Sequence, residues 1–153
     1  MDLSDAELER LRRSGLRLDR EGRFWHEGRE VTHAGLRAAF WRWLDREPDG
    51  RWVLRLDARR FVYLDVDDDV PYVIRSLRWE GDRAIARLSD DSEEELAYGT
   101  LRLAAGVPHA TVKGRFAARL SSAAWGALQD RLAETDAGPV LAAAGARWRL
   151  AGT

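Results

Sequence analysis

Six side chains have the types that hold a small ligand. His26 exchanges a proton near neutral pH, and it follows Trp25, a ring able to stack on a flat group. Arg60 and Arg115 can grip a phosphate or carboxylate through parallel N–H donors. Asp69 can orient a ligand donor, and Tyr72 offers a second stacking surface. The competing reading of each is structural: His26 bonded to backbone across two turns, and the arginines paired with the acidic middle of the chain. An enzyme would use His26 with Asp69 as an acid–base pair. Asp68 and Glu27 are further carboxylates of that kind.

Several chemistries lack their motifs. There is no cysteine, so thiol nucleophiles, disulfides and Cys-type zinc sites are excluded. His26, His33 and His109 lack metal-ligand spacing. Asp65-x-Asp67-x-Asp69 opens like a calcium loop, but Val70 and Ser76 stand where glycine and a bidentate glutamate are needed. Gly-x-Ser-x-Gly and Gly-x-Gly-x-x-Gly are missing, and no phosphate loop precedes Lys113-Gly114. No catalytic residue is assigned, and any cofactor is unknown.

The 153 residues suffice for one domain or two small ones. Net charge is −1, against a generic nucleic-acid binder, yet unevenly spread. Residues 1–64 carry 14 basic and 12 acidic side chains, 65–95 carry 4 and 11, and 96–153 carry 7 and 3. An acidic middle between basic ends suits two halves that attract each other, or a solvated loop. No apolar run reaches membrane length. The start, Met1-Asp2-Leu3-Ser4-Asp5, is not signal-like, so a cytoplasmic protein is expected.

These side chains need elements to position them. Ser4 and Glu7 form a capping box for a helix over 4–13, with Leu8 and Leu11 on one face. Leu16, Leu18 and then Phe24 or Trp25 read as strands around a type I turn at Asp19-Arg20-Glu21-Gly22, with a second turn at Glu27-Gly28. Thr32 is placed to cap a helix through about Asp45, with His33 solvated in its first turn and Leu36, Ala39, Phe40 and Trp43 or Leu44 inward. Strands follow at Trp52–Leu56, Phe61–Val66, Tyr72–Trp79 and Ala84–Leu88. Shorter strand candidates lie at Leu96–Leu103, Ala110–Val112 and Arg115–Leu120, with His109 in a loop after Pro108. Ser121 or Ser122 caps a second helix carrying Trp125, Leu128 and Leu132; Val140-Leu141 and Ala146–Leu150 close the chain. Most of the seven tryptophans are expected in the core.

The division is an N-terminal helix (1–15), a half over 16–67 and a half over 68–153. The class is α+β: mostly antiparallel sheets with one principal helix per half, arranged as two interlocked repeats. Thr32 to Trp52 and Ser122 to Trp148 are the matching pieces.

Asp19-Arg20-Glu21-Gly22-Arg23-Phe24-Trp25-His26-Glu27-Gly28, followed by Leu36 and Phe40, Asp68-Asp69-Val70-Pro71-Tyr72, then Pro108, Arg115 and Trp125, resembles a bacterial domain-of-unknown-function family, the one numbered twelve-eighty-five. The resemblance covers roughly residues 16–135. It implies a duplicated α+β core, a C-terminal half that is pleckstrin-homology-like, a nucleotide-like ligand between the halves and a role in signal transduction. The chain departs from that pattern at Leu56-Asp57-Ala58-Arg59-Arg60 and in the alanine-rich stretch Ala142 to Ala146.

The combined expectation is a non-catalytic module. Arg60 and Arg115 hold an anion, Trp25 or Tyr72 stacks on a flat group, and His26 or Asp69 orients it. The alternatives are the His26–Asp69 enzyme and a protein-interaction scaffold, a homodimer through exposed tryptophans.

Overall fold

The computed structural model describes residues 15–152. The helix expected over 4–13, with its Ser4–Glu7 box, lies outside the described residues. The chain divides into two compact units, Met1–Asp69 and Val70–Thr153.

The first unit opens on a three-stranded meander: β1 (Leu16–Leu18), β2 (Phe24–His26) and β3 (Arg29–Glu30). Both turns follow from their residues. Gly22 N–H donates to the Asp19 carbonyl at 3.1 Å, and Gly22 takes φ 82°, closing a type I turn. Glu27 (φ 50°) and Gly28 (φ 83°) form the two-residue hairpin turn that needs two left-handed positions. Helix α1 (Ala34–Trp43) follows, then β4 (Leu44–Arg46), β5 (Trp52–Arg55) and β6 (Phe61–Val66) as a second meander.

The sheet order is β3-β2-β1-β6-β5-β4, with β1 and β6 parallel. Alternation sends Leu16, Leu18, Phe24, Leu54 and Leu64 inward. The ring of Phe24 meets Phe40 at 5.2 Å and Trp41 at 4.9 Å, both edge-on. Burying that ring stabilises the unit by about 2 kcal/mol.

Helix α1 starts and stops differently from the expectation. Its cap is His33, not Thr32: the imidazole Nδ1 accepts from Leu36 N–H at 3.1 Å. It ends at Trp43, because Leu44 is already extended (φ −61°, ψ 125°) and pairs with Leu54. Leu36, expected inward, is 42% exposed, and Ala39, Phe40 and Trp41 are the buried positions.

The second unit repeats the plan. β7 (Tyr72–Glu80), β8 (Arg83–Leu88) and β9 (Glu93–Glu95) form one meander. β10 (Arg102–Ala104), β11 (Val107–Val112) and β12 (Phe116–Leu120) form the other. β7 and β12, the first and last of these strands, pair in parallel as β1 and β6 do. Helix α2 (Ser122–Gln129) then leads into a small meander, β13 (Leu132–Thr135), β14 (Gly138–Ala143) and β15 (Ala146–Arg149), and β16 (Ala151–Gly152) returns to β10. Sheet topology therefore repeats between residues 16–66 and 72–120. The helices do not match: α1 joins two meanders, whereas α2 follows both. The pieces matched in the sequence were helix-centred and so lie out of phase with this repeat.

Ser121 is the cap of α2. Its Oγ accepts from Ala124 N–H at 3.1 Å and donates to the Arg75 carbonyl at 2.8 Å, beside the irregularity in β7 between Ile74 and Ser76. The helix stops before Leu132, which opens β13. His109 lies in β11, not in a loop; it is buried, with Nδ1 2.8 Å from the Val107 carbonyl. Of the seven tryptophans, Trp41 and Trp52 are buried and the other five half-buried.

Candidate functional site

Asp19 organises the opening hairpin. Its carboxylate is buried; Oδ1 accepts the N–H groups of Glu21 and Arg23, both at 2.9 Å, and Oδ2 accepts the Trp25 indole N–H at 2.8 Å. Trp25 is thus half-buried and tied to its own turn.

The acidic connection is an ion-paired stop rather than a bare solvated loop. Asp67, Asp68 and Asp69 form a 3-10 turn in which Asp68 (φ 57°) and Asp69 (φ 62°) are left-handed. Each takes a different arginine. Arg17 grips Asp67 with two bonds of 3.0 and 2.7 Å, Arg20 meets Asp68 at 2.6 Å, and Arg46 meets Asp69 at 2.7 Å. The other Asp69 oxygen accepts the indole N–H of Trp52 at 2.6 Å. Arg20 and Asp68 belong to the two sequence signatures that carry the family resemblance, so those signatures meet in space.

The expected site residues fall in several places. Arg60 precedes β6 and Asp69 follows it, so six extended residues, about 20 Å, separate them. Arg60 pairs with Asp57 at 2.6 Å. Its N–H and guanidinium, with the Arg59 N–H, hold the Asp57 carboxyl down to about 2. His26 aligns with Leu16, and Leu16 with Leu64, so β1 separates it from β6. Two strand spacings come to about 10 Å. Asp69 is engaged by Arg46 and Trp52, on β4 and β5, whereas His26 lies near the β3 edge. The His26–Asp69 acid–base pair is therefore not assembled.

In the second unit Tyr72 and Arg115 flank one ring. Phe116 lies 5.4 Å from Tyr72, and the Arg115 guanidinium sits 4.2 Å over it. Tyr72 is buried, and that burial, with the charge of Asp90, pushes its phenol well above the ordinary range. Lys113, the chain's only lysine, is held 2.8 Å from Asp90 and 2.9 Å from the Ser92 hydroxyl. Burial alone would raise the Asp90 carboxyl; the bonds from Lys113 and Ser92 outweigh it and bring it below the ordinary range.

His26 is exposed, and its side chain makes no hydrogen bond or ion pair among the described residues. It stands directly opposite Arg29 across the β2–β3 pair. Both line an open depression of about 540 Å³ with Glu27, Glu30, Thr32 and His33. Arg29 and His33 were missed in the sequence. The signal for Arg29 was available: a two-residue turn at Glu27-Gly28 sets it opposite His26. Among the described residues no group of three or more His, Asp or Glu side chains is placed to hold a metal ion, and no helix is long and apolar enough to cross a membrane. Among the described residues Leu36 in α1, Leu56 in the loop after β5 and Val107 in β11 are the large apolar side chains left exposed.

No family model matches the sequence, and no curated protein matches it. Two solved structures do. A DUF1285 family protein from Silicibacter pomeroyi DSS-3 aligns with 91% of this chain and 80% of its own, at 20% identity and a TM-score of 0.75. A DUF1285 family protein from Shewanella baltica OS155 aligns with 76% of this chain and 91% of its own, at 13% identity and a TM-score of 0.62. The chain shares their α+β fold, the one implied by the motifs quoted from the sequence.

Proposed function

We infer that this chain is a member of the DUF1285 family and serves as a non-catalytic module that binds a small anionic, nucleotide-like ligand in signal transduction. Membership is supported by the shared fold and by the Arg20–Asp68 pair that joins the two signatures. A pleckstrin-homology-like second half and a cytoplasmic location belong to the same reading.

The observation that carries ligand binding is the His26–Arg29 cross-strand pair, exposed and without partners among the described residues. A phosphate would accept from both side chains. Glu27 and Glu30 line the same depression, and they suit a ligand whose remainder carries donors, such as ribose hydroxyls or a base amine.

A thermal-shift screen tests this with inorganic phosphate, pyrophosphate, AMP, ADP and GMP at millimolar concentration. A ligand present at 100 times its Kd stabilises by about 2.7 kcal/mol. His26→Ala and Arg29→Ala should each abolish the shift and leave the unliganded melting temperature unchanged, because neither side chain holds the fold. No shift with any of the five would overturn the reading.

A further inference from the structure

We propose that His33 makes the first turn of α1 a pH-sensitive part of the fold, with acid uncapping the helix. The proposal concerns a wall of the depression described above but does not rest on ligand binding. Two observations carry it. The Leu36 N–H donates to His33 Nδ1 at 3.1 Å, so that nitrogen must be unprotonated to serve as the cap. The ring is also seated on Gly35: a Cβ there would come within 3.1 Å of His33 Cε1 and 3.4 Å of Nδ1. A glycine inside a helix is unfavourable relative to alanine, and here it makes room for the imidazole. Ser, Thr, Asp or Asn would cap without changing charge between pH 5 and 8. This helix is capped by the one side chain that ordinarily changes charge between pH 5 and 8.

The sign follows from the bond. Neutral imidazole accepts from Leu36 and stabilises the turn. Protonation turns Nδ1 into a donor and puts positive charge at the positive end of the helix dipole, so the cap is lost as pH falls. Charged groups around the depression act on this balance. On β2 and β3, His26 and Arg29 oppose a second positive charge. Glu27 in the turn and Glu30 on β3 favour it. On α1 there is no acidic side chain in the first turn, and Arg37 follows one turn on. The cap fixes the turn that carries Leu36, so uncapping loosens that wall of the depression.

NMR of the full chain between pH 8 and 5 tests this. The His33 imidazole and the Leu36 amide should titrate with one midpoint. Leu36 amide exchange, corrected for its intrinsic pH dependence, should rise about fivefold, the factor expected for losing a side-chain cap. His33→Asn should keep the protection at pH 8 and abolish its pH dependence. Gly35→Ala should lower the protection at pH 8 more in the His33 background than in the His33→Asn background. A Leu36 amide that ignores the His33 titration, or a His33→Asn variant with the original pH profile, overturns the proposal. Absence of a thermal shift with phosphate leaves all four measurements intact, so the two readings fail separately.

Discussion

Replacing Asp19 should unfasten the whole opening meander. Its carboxylate accepts three N–H donors, two from the turn and one from the Trp25 indole, and it is 6% exposed. In Asp19→Ala the Glu21 and Arg23 N–H groups lie near the surface and regain water, so each lost bond costs about 1 kcal/mol. The indole N–H is half-buried, and losing a charged acceptor there costs about 1.5 kcal/mol. The sum is about 3.5 kcal/mol, or a urea midpoint lower by about 1.8 M at a slope near 2 kcal/mol per molar. Asp19→Asn is the sharper probe. Its carbonyl can still accept the two backbone N–H groups, but its NH2 then confronts the indole N–H, and the cost should be about 2 kcal/mol. In a Trp25→Phe background the conflict disappears, so Asp19→Asn should cost about 1.5 kcal/mol less there. Urea unfolding followed by circular dichroism, with unchanged slope, measures the parent and the four variants. A cost below 1 kcal/mol for Asp19→Ala, or the same Asp19→Asn cost in both backgrounds, refutes the reasoning.

Asp57 is held at about 2 in the folded chain against an ordinary 3.8. Its contribution is therefore present above pH 3.8 and lost as pH falls through 2, so the stability gap between the parent and Asp57→Asn should close over that window in acid titration. Asp69→Ala removes the acceptor of the buried Trp52 indole and the partner of Arg46, and should cost about 2 kcal/mol in the same unfolding assay. Asp69→Gly loses the same bonds but relieves the left-handed backbone at φ 62°, and should cost about 0.5–1 kcal/mol less than alanine.

Features fixed by neighbours in the chain were legible. The Asp19–Gly22 turn, the Glu27-Gly28 turn and the Ser121 cap each depend on residues within four positions. Features fixed at a distance were not. Nothing near Asp67, Asp68 and Asp69 announces that Arg17, Arg20 and Arg46, 23 to 50 positions away, would each take one. Arg60, by contrast, found its carboxylate three residues back in its own loop. The His33 cap was missed because Thr32, one position earlier, is the better capping type, while Gly35 made the imidazole fit. His109 was misplaced because Pro108 suggested a break. Pairing of β11 with β12 begins at His109, so the missing proline N–H costs no rung on that side. Among the candidate site residues, chemistry could be read from type but convergence could not. Tyr72 and Arg115 met across Phe116, whereas Arg60 and Asp69 were sent to opposite ends of β6.

Each sheet is closed by pairing its first meander strand with the last strand of the second meander. Leu16 must find Leu64, and Tyr72 must find Ala118. In the first unit this seam is the longest-range pairing and in the second only β10 with β16 spans more of the chain, whereas the two meanders flanking each seam are local hairpins. Loop closure is unfavourable until such a seam forms, so each sheet should form at a rate set by its seam, with the hairpins fluctuating beforehand. A ribosome would have to release β6 before the seam of the first sheet could close, and β12 before that of the second.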